Sequence, residues 1–331
     1  MSTDLERLDG IGPSLAQKLI DSGFRTIISI ASASPNELQS IEGITSSFAK
    51  RLIKSASGQS DGLGLYFRRG KDMIQDYEKQ EYLTSGCSSF DELLNGGFCT
   101  QKLYEVWGME GTCKSNLMNQ LICTTALPKS KGGLGGGAIY IDTDNALSLN
   151  RIRSVAPRFE LDPEDVIENI SRVSPFNSDA LKYICRNELS EELSQTGARL
   201  IIVDSIATHF RSEYGSMRQL APERQQKALQ VLQAIKKNAR IFNAVAVITN
   251  QAVGDPSGYG VGIKHAMGLA VGHASEIRIH LSVKSKSRRE IMIYIEKAID
   301  LPNKETVLQI TDTGFYDLDT APKRRVLKRH Y

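Results

Sequence analysis

The stretch GMEGTCKS, residues 108–115, decides the fold of this chain. It follows the apolar run LYEVWG, which ends at Gly108, and it precedes the helical pattern KSNLMNQLICTTAL, which begins at Lys114. A phosphate-binding loop of the pattern G-x-x-x-x-G-K-[ST] requires this placement between a strand and a helix. One letter departs from the pattern, because Cys113 stands where such a loop has glycine. The context nevertheless predicts a mononucleotide-binding fold.

The positions of this loop have different expected roles. Gly108 permits the turn out of the strand, and the backbone N–H groups of Gly111 and Thr112 can donate to phosphate oxygens. Lys114 can reach the β- and γ-phosphates, and the hydroxyl of Ser115 can bind Mg²⁺. The predicted nucleotide-binding residues are Gly108, Met109, Glu110, Gly111, Thr112, Cys113, Lys114 and Ser115.

A second element of a nucleotide site is an acid at the end of another strand. The run LIIVDS supplies it at Asp204. An acid in that place orients the metal and its water shell, so we predict that a nucleotide and Mg²⁺ bind here, with Ser115 and Asp204 at the metal. The glycine-rich GGLGGG (132–137) precedes a strand instead of following one, so it fails the dinucleotide-binding pattern and predicts a flexible surface loop.

Short runs rich in Val and Ile alternate with helical patterns from about residue 83 onward. Such runs are typical of strands that are buried on both faces of a parallel sheet. The runs are GAIYID (137–142), RLIIVDS (199–205), AVAVITN (244–250) and IRIHLSV (277–283), with a long helix predicted at 221–242. REIMIYIE and ETVLQIT would add strands at the far edge. The predicted fold class is α/β, with a mostly parallel central sheet and helices on both sides.

Residues 1–56 predict a small all-α unit. LDGIGPSLAQKLI (8–20) has a tight glycine turn followed by a helix, and the same form returns in IEGITSSFAKRLI (41–53). The pair resembles tandem helix-hairpin-helix motifs, a family in which the glycine turn and the next helix hold a DNA backbone phosphate. The resemblance makes Gly10, Gly12 and Gly43 candidate DNA-binding residues. A helical protein–protein module is the alternative, because six acidic residues balance six basic ones here.

Composition limits the remaining classes. The 331 residues are 40% hydrophobic, which is enough for one large core and a smaller domain, and the net charge of +3 does not by itself indicate nucleic acid. Five cysteines without a C-x-x-C pair predict reduced thiols instead of a disulfide framework or a metal site. No apolar run approaches the length of about 18 residues that a membrane helix needs, so we expect a cytoplasmic protein.

Several motifs together resemble the archaeal RadA recombinase family, which is related to bacterial RecA and to the eukaryotic strand-exchange recombinases. They are YIDTD (140–144), LIIVDSIATHFRSEY (200–214), ERQQK (223–227), TNQ (249–251) and GHAS (272–275). The order matches over nearly the whole chain. It implies a helix-hairpin-helix DNA-binding domain (1–56), a linker with an oligomerisation segment (57–82), a RecA-like P-loop ATPase core (83–318) and a basic tail (319–331).

The resemblance implies ATP-dependent binding to single-stranded DNA, filament assembly and strand exchange. It assigns catalytic roles to Lys114, to Asp144 as the acid that activates the attacking water, and to Gln251 as the sensor of the γ-phosphate. Asp204 matches the Walker B acid, and His273 matches a second sensor.

Two DNA loops follow from the same resemblance. The first covers 215–222 and would bind DNA through Arg218. The second covers 252–271 and would bind it through Lys264 and His265. Glycines and small polar residues suit a segment that becomes ordered on binding.

Two departures from the family pattern lie at the nucleotide site. Cys113 adds a side chain beside the phosphates, and a positive φ at this position would cost about 1–3 kcal/mol of strain. Asp144 is one methylene shorter than the glutamate that the family has, so the shorter acid would slow hydrolysis more than binding.

Two further departures lie elsewhere. Met217 occupies the place of a family arginine in the first loop, and Arg218 follows it. FRRG (67–70) stands where the family uses Phe-x-x-Ala to bind its neighbour, so Phe67 would be retained as the oligomerisation anchor while Gly70 replaces the alanine.

Two hypotheses therefore stay open. The first is a DNA-dependent ATPase that assembles on single-stranded or double-stranded DNA as its own filament or ring. The second is a divergent accessory paralogue that binds DNA and a main recombinase, with weak or no ATP hydrolysis. The basic stretches VKSKSRR (283–289) and KRRVLKRHY (323–331) favour contact with DNA phosphates in both, although such runs also occur as solvated surface.

Overall fold

The computed structural model describes residues 4–59, 69–70, 74, 77–215, 218–254 and 263–322. They divide into two compact units. The first combines the described residues up to Gln80 with Tyr183–Gln195, and the second combines Glu81–Lys182 with the described residues from Thr196 onward. The domain limits given above stay a prediction.

Short helices around one apolar cluster build the N-terminal part of the first unit. A 3-10 turn (Asp4–Arg7) precedes α1 (Pro13–Asp21), α2 (Ile27–Ala31), α3 (Pro35–Gln39) and α4 (Ser46–Gln59). Thr26 and Ser34 begin α2 and α3 with capping boxes, which satisfy amides that a helix leaves open at its start. The cluster includes Leu5, Leu8, Leu19, Ile30, Leu38 and Leu52, all fully buried.

The two glycine turns have the same backbone form. The N–H of Ile11 donates to the carbonyl of Leu8 at 3.1 Å, and the N–H of Ile44 donates to that of Ile41 at 3.1 Å. The third residue of each turn is a glycine with positive φ, 89° at Gly10 and 95° at Gly43. Only glycine adopts such values readily, which explains why the letter recurs in both repeats.

A large sheet forms the second unit. Its strands, with a small separate pair first, are β1 (Tyr82–Leu83), β2 (Phe98–Cys99), β3 (Leu103–Gly108), β4 (Ala138–Asp142), β5 (Ile170–Val173), β6 (Leu200–Asp204), β7 (Val245–Gly254), β8 (Ile263–His265), β9 (Ile277–Ser285), β10 (Glu290–Lys297), β11 (Glu305–Thr311) and β12 (Gly314–Asp317). The helices after α4 are α5 (Ser88–Leu93), α6 (Lys114–Ala126), α7 (Leu149–Val155), α8 (Pro163–Glu168), α9 (Ser178–Tyr183), α10 (Leu189–Thr196), α11 (Thr208–Tyr214), α12 (Ala221–Ile241) and α13 (Gly268–Ala274).

The sheet order is β12-β11-β10-β9-β3-β7-β6-β4-β5, with β8 paired to β7. Neighbours from β9 to β5 are parallel, whereas β9 to β12 form an antiparallel extension. Every residue of β3, β4 and β6 is buried, as the Val- and Ile-rich runs predict. The predicted α/β class is therefore confirmed. The carboxyl ends of β3, β4, β6 and β7 share one edge, where ligands of such sheets bind.

The glycine-rich segment 132–137 differs from its prediction as a surface loop. Gly133 and Leu134 are buried, and a β-carbon on Gly133 would overlap the carbonyl of Leu127. The N–H of Leu134 donates to Thr125 at 3.2 Å. The prediction of a surface loop was wrong here, because glycine serves close backbone packing as well as chain flexibility.

Candidate functional site

The predicted phosphate-binding loop joins β3 to α6. Its first residue, Gly108, has no space for a side chain. A β-carbon on Gly108 would overlap the carbonyl of Leu281 in β9. Thr112 is buried, and its hydroxyl donates to the carbonyl of Met109 at 2.8 Å. Gly111 has a φ of 79°, and its position has open space around it. The loop is thus a compact turn with open space where a side chain of residue 111 would stand.

Cys113 has a left-handed backbone, with φ 65° and ψ 27°, immediately before α6. This conformation costs a non-glycine residue about 1–2 kcal/mol. Its half-buried side chain packs partly against the apolar core, and its Sγ lies 3.7 Å from the carbonyl oxygen of Gly111. The positive φ on which the expected strain depended is therefore present.

Lys114 turns back over the loop that precedes it. Its Nζ donates to the carbonyls of Gly108 and Met109, at 3.0 Å each. Burial lowers the pKa of Lys114 below its ordinary 10.5, while the negative charges of Asp204 and Asp144 act in the opposite direction. The ammonium group therefore lies within electrostatic reach of both predicted acids.

Asp204 ends β6 as a buried acid that is held from two sides. The hydroxyl of Tyr140 on β4 donates to its Oδ2 at 2.7 Å, and the hydroxyl of Thr249 on β7 donates to its Oδ1. Burial and the adjacent carboxylate raise the pKa of Tyr140. Two hydrogen bonds to the carboxylate fix its direction, so the neighbouring strands position this acid.

Asp144 follows β4 and is exposed. The hydroxyl of Thr208, the first residue of α11, donates to its Oδ1 at 2.5 Å. The backbone N–H groups of Thr143 and Asp144 donate to the carbonyl of Asp204 at 2.9 and 3.3 Å. The two acids are therefore joined through the backbone, although they come from different strands.

An ion pair between the buried Asp142 and the exposed Arg172 supports the turn after β4. The side chain of Asp142 accepts from Arg172 on β5 at 2.9 Å and from the backbone N–H of Ala146 at 2.8 Å. This arrangement fixes the turn that carries Asp144.

Gln251 lies beside the phosphate-binding loop, because β3 and β7 pair Gly108 with Gln251. Its Oε1 accepts from the guanidinium of Arg211 on α11. Thr208 and Arg211 are three residues apart on one helix face, so α11 contacts both Asp144 and Gln251. Sequence reasoning missed both residues, although each lies inside the motif LIIVDSIATHFRSEY and three-residue spacing on a helix was the available signal.

His273 is exposed in the last turn of α13. The Nζ of Lys297 on β10 donates to the carbonyls of Gly272, His273 and Ser275 at 3.0, 3.3 and 2.8 Å. A cation at this helix end is favourable, and it fixes where α13 ends. The assignment of His273 as a sensor stays a prediction.

The predicted DNA and oligomerisation residues are only partly described. Phe67 and Met217 lie outside the described residues, and Gly70 is exposed. Arg218 begins a 3-10 turn (Arg218–Leu220), whereas Lys264 and His265 lie in β8 opposite Val253 and Ala252. The side chains of these three residues are outside the description. Gly10, Gly12 and Gly43 belong to the first unit, and the phosphate-binding loop belongs to the second.

Among the described residues, no helix is both long enough and apolar enough to cross a membrane.

Comparison with known proteins gives matches over most of the chain. Residues 78–318 match the Rad51 family, and residues 2–57 match the SAM-like helix-hairpin-helix tandem. The DNA repair and recombination protein RadA of Aeropyrum pernix is 34% identical over 95% of this chain and 97% of its own length. The RadA proteins of Ignicoccus hospitalis and Metallosphaera sedula are 35% and 33% identical over 95% and 94% of this chain, and over 96% and 95% of their own lengths. This chain therefore belongs to the Rad51 family, among the RadA recombination proteins.

Proposed function

We propose that this chain is a DNA-dependent ATPase of recombinational DNA repair, which binds single-stranded DNA with ATP, assembles into a filament and exchanges strands. The observation that carries the proposal is the gathering of Lys114, Asp144, Asp204 and Gln251 at one edge of the parallel strands. The names of the RadA relatives support the same process. We place this activity in the cytoplasm, with double-stranded DNA as the second partner in exchange.

ATP is the nucleotide that fits this loop. The ammonium group of Lys114 can exchange its two carbonyl acceptors for phosphate oxygens, which are stronger partners because they are charged. Gly111 faces open space, so its backbone can approach a phosphate closely. The residues at this end of α6 would bind, orient and partly neutralise the triphosphate.

The donor set also fits Mg²⁺. This ion prefers oxygen ligands, keeps several waters and needs few protein groups beside a nucleotide. Asp204 offers a carboxylate at the end of β6, and Ser115 offers a hydroxyl in the first turn of α6. Ser115 and Asp204 would hold the ion, which would neutralise charge on the phosphates.

Asp144 and Gln251 would act beyond binding. The exposed carboxylate of Asp144 can accept a proton from water, and Thr208 holds its orientation. Gln251 lies on β7 immediately before the predicted second DNA loop. It accepts a hydrogen bond from Arg211 of α11, the helix that precedes the predicted first DNA loop. Gln251 would therefore sense the γ-phosphate and transmit its presence to both predicted DNA loops.

DNA contacts of the first unit would use the start of α1. Gly12 is the N-cap residue of α1 and makes no side-chain cap, and Pro13 is the first residue of the helix, so amides of the first turn are left for another acceptor. In the second repeat, Thr45 already accepts the N–H of Phe48 at 3.3 Å. The first repeat is therefore the better phosphate contact of the two, and Lys50 and Lys54 add exposed positive charge on α4.

Turnover of ATP by the purified protein tests the proposal directly. Hydrolysis is measured with and without single-stranded DNA, with Lys114→Ala as the blank. We expect DNA-stimulated turnover well above the blank, together with DNA binding that weakens as salt rises. Turnover equal to the blank under both conditions would contradict the proposed activity.

A second candidate is the accessory paralogue with weak or no hydrolysis. Two observations favour it: the strained Cys113 and the short Asp144, whose Oδ1 is already bonded to Thr208. The double variant Cys113→Gly with Asp144→Glu separates the two. A many-fold gain in turnover would identify the natural protein as a weakened enzyme, whereas an unchanged rate would contradict that view.

A further inference from the structure

Asn250 is a fully buried amide beside Gln251, and its side chain makes three hydrogen bonds. Its Nδ2 donates to Oε1 of Glu105 at 2.7 Å and to the carbonyl of Ala266 at 2.8 Å. Its Oδ1 accepts from the backbone N–H of Gln251 at 2.9 Å. Asparagine combines two donors with an acceptor on one short side chain, and all three are used here.

These bonds lie at the base of an antiparallel ribbon formed by β7 and β8. The ribbon pairs Ala252 with His265 and Gly254 with Ile263. At its base, the N–H of Ala266 donates to the carbonyl of Gln251 at 2.7 Å. Asn250 therefore ties both ends of the segment 251–266 to each other.

The third partner anchors this base to the strand that carries the phosphate-binding loop. Glu105 is fully buried on β3, three residues before Gly108. Its Oε2 accepts from Nε of Arg278 on β9 at 2.9 Å. Arg278 also faces Glu296 on β10 at 3.5 Å, and Lys297 on β10 lies within electrostatic reach of Glu105, so the charged groups near Glu105 include Arg278, Glu296 and Lys297. A buried carboxylate with these partners is held firmly, since losing one would leave it unsatisfied.

We propose that Asn250 is a positioning residue that couples the ribbon of residues 252–254 and 263–265 to the phosphate-binding loop through Glu105. The proposal rests on the proposed function, in which Gln251 senses the nucleotide and the ribbon leads to DNA. Asn250 acts through the backbone of Gln251 and Ala266, because its own side chain is buried. Removing its three bonds leaves the nucleotide-binding groups in place and releases the base of the ribbon.

Asn250→Leu tests the coupling, because it removes all three bonds at similar volume. Stimulation of ATP hydrolysis by single-stranded DNA should fall by about tenfold, a typical size for coupling between sites, while nucleotide affinity stays within about twofold. Asn238→Leu is the matched control, since Asn238 is also buried and its Nδ2 donates within its own helix α12, to Ala234 at 2.9 Å. Unchanged stimulation in folded Asn250→Leu would overturn the proposal.

Asn250→Asp adds a readout that a purely structural role would not give. The carboxyl group that this substitution introduces can donate to Glu105 only while the two acids share a proton. DNA stimulation in this variant should therefore recover as pH falls from about 8 to about 6, whereas wild type and Asn238→Asp should show no such recovery. A flat profile for Asn250→Asp would count against the bond to Glu105 as the coupling contact.

Hydrogen exchange tests the network without any activity. The backbone N–H of Gln251 bonds to Asn250, and that of Ala266 bonds to Gln251. Both amides should exchange at least about tenfold faster in Asn250→Leu, and unchanged protection would refute the positioning role. If wild type shows no DNA-stimulated hydrolysis, the proposed function fails, while this measurement still decides the role of Asn250.

Discussion

At the scale of single residues, Cys113 shows where a departure from a sequence pattern costs free energy. The left-handed backbone at Cys113 places strain in the folded protein immediately before α6. Packing of the half-buried side chain against the apolar core offsets part of this cost. The sequence predicted strain at Cys113 only if its φ is positive. The sign of φ depends on the path of the backbone between β3 and α6, and the residue type at one position does not show that path.

Cys113→Gly should raise the free energy of unfolding by about 0.5–1 kcal/mol. Relief of the left-handed conformation gives about 1–2 kcal/mol, and the greater freedom of glycine in the unfolded chain removes part of that gain. Thermal unfolding measures the change, and Cys113→Ala is the control because it keeps the β-carbon. An equal gain in both variants would show that the sulfur, and not the backbone, causes the strain.

Lys114 should make the affinity for nucleotide change with pH in the alkaline range. Burial lowers its pKa below 10.5, so the free protein loses this positive charge at a lower pH than an ordinary lysine does. Affinity for ATP should therefore fall as pH rises through the lowered pKa, before 10.5 is reached. Fluorescent-nucleotide titration checks this against Lys114→Arg, because arginine stays charged throughout. An identical decline in both proteins would assign it to another group.

At the scale of elements, strand pairing brings together what the sequence shows only as separate motifs. The predicted runs fall on β3, β4, β6, β7 and β9, because buried parallel strands leave a clear apolar pattern. Their order in the sheet, β9-β3-β7-β6-β4, pairs strands that are far apart in the chain, so no single motif indicates it. That order places Tyr140 and Thr249 on Asp204, and these two contacts were consequently missed.

The glycine turns of the first unit give a prediction for paired elements. A β-carbon at Gly10 would lie 2.8 Å from the ring of Phe48, whereas one at Gly43 would meet nothing within 4 Å. Both positions have positive φ, so each alanine substitution costs about 1 kcal/mol from the backbone alone. Gly10→Ala should therefore destabilise more than Gly43→Ala, as measured by thermal unfolding. Equal losses would mean that Phe48 moves aside freely.

At the scale of the whole molecule, the chain builds two compact units. The predicted limits separate 1–56 from 83–318, but residues 183–195 join the first unit although they lie between β5 and β6 in the chain. Ion pairs of Arg25 with Glu188 (3.4 Å) and of Arg186 with Glu37 accompany this grouping. Contacts between charged residues so far apart in the chain leave no periodic pattern, so sequence reasoning could not find them.

Calorimetry of the whole chain should separate the two units by their ligand response. Each has buried apolar residues of its own, and ATP with Mg²⁺ would bind only the unit that holds Lys114. At about 100 times the dissociation constant, a ligand adds about 2.7 kcal/mol to the unit it binds. One transition should therefore move upward by about 5–10 °C while the other stays within about 1 °C. Lys114→Ala is the control, and it should remove the shift without changing the second transition. A single transition that moves as a whole would mean that the two units unfold together, and the separate response would then be refuted.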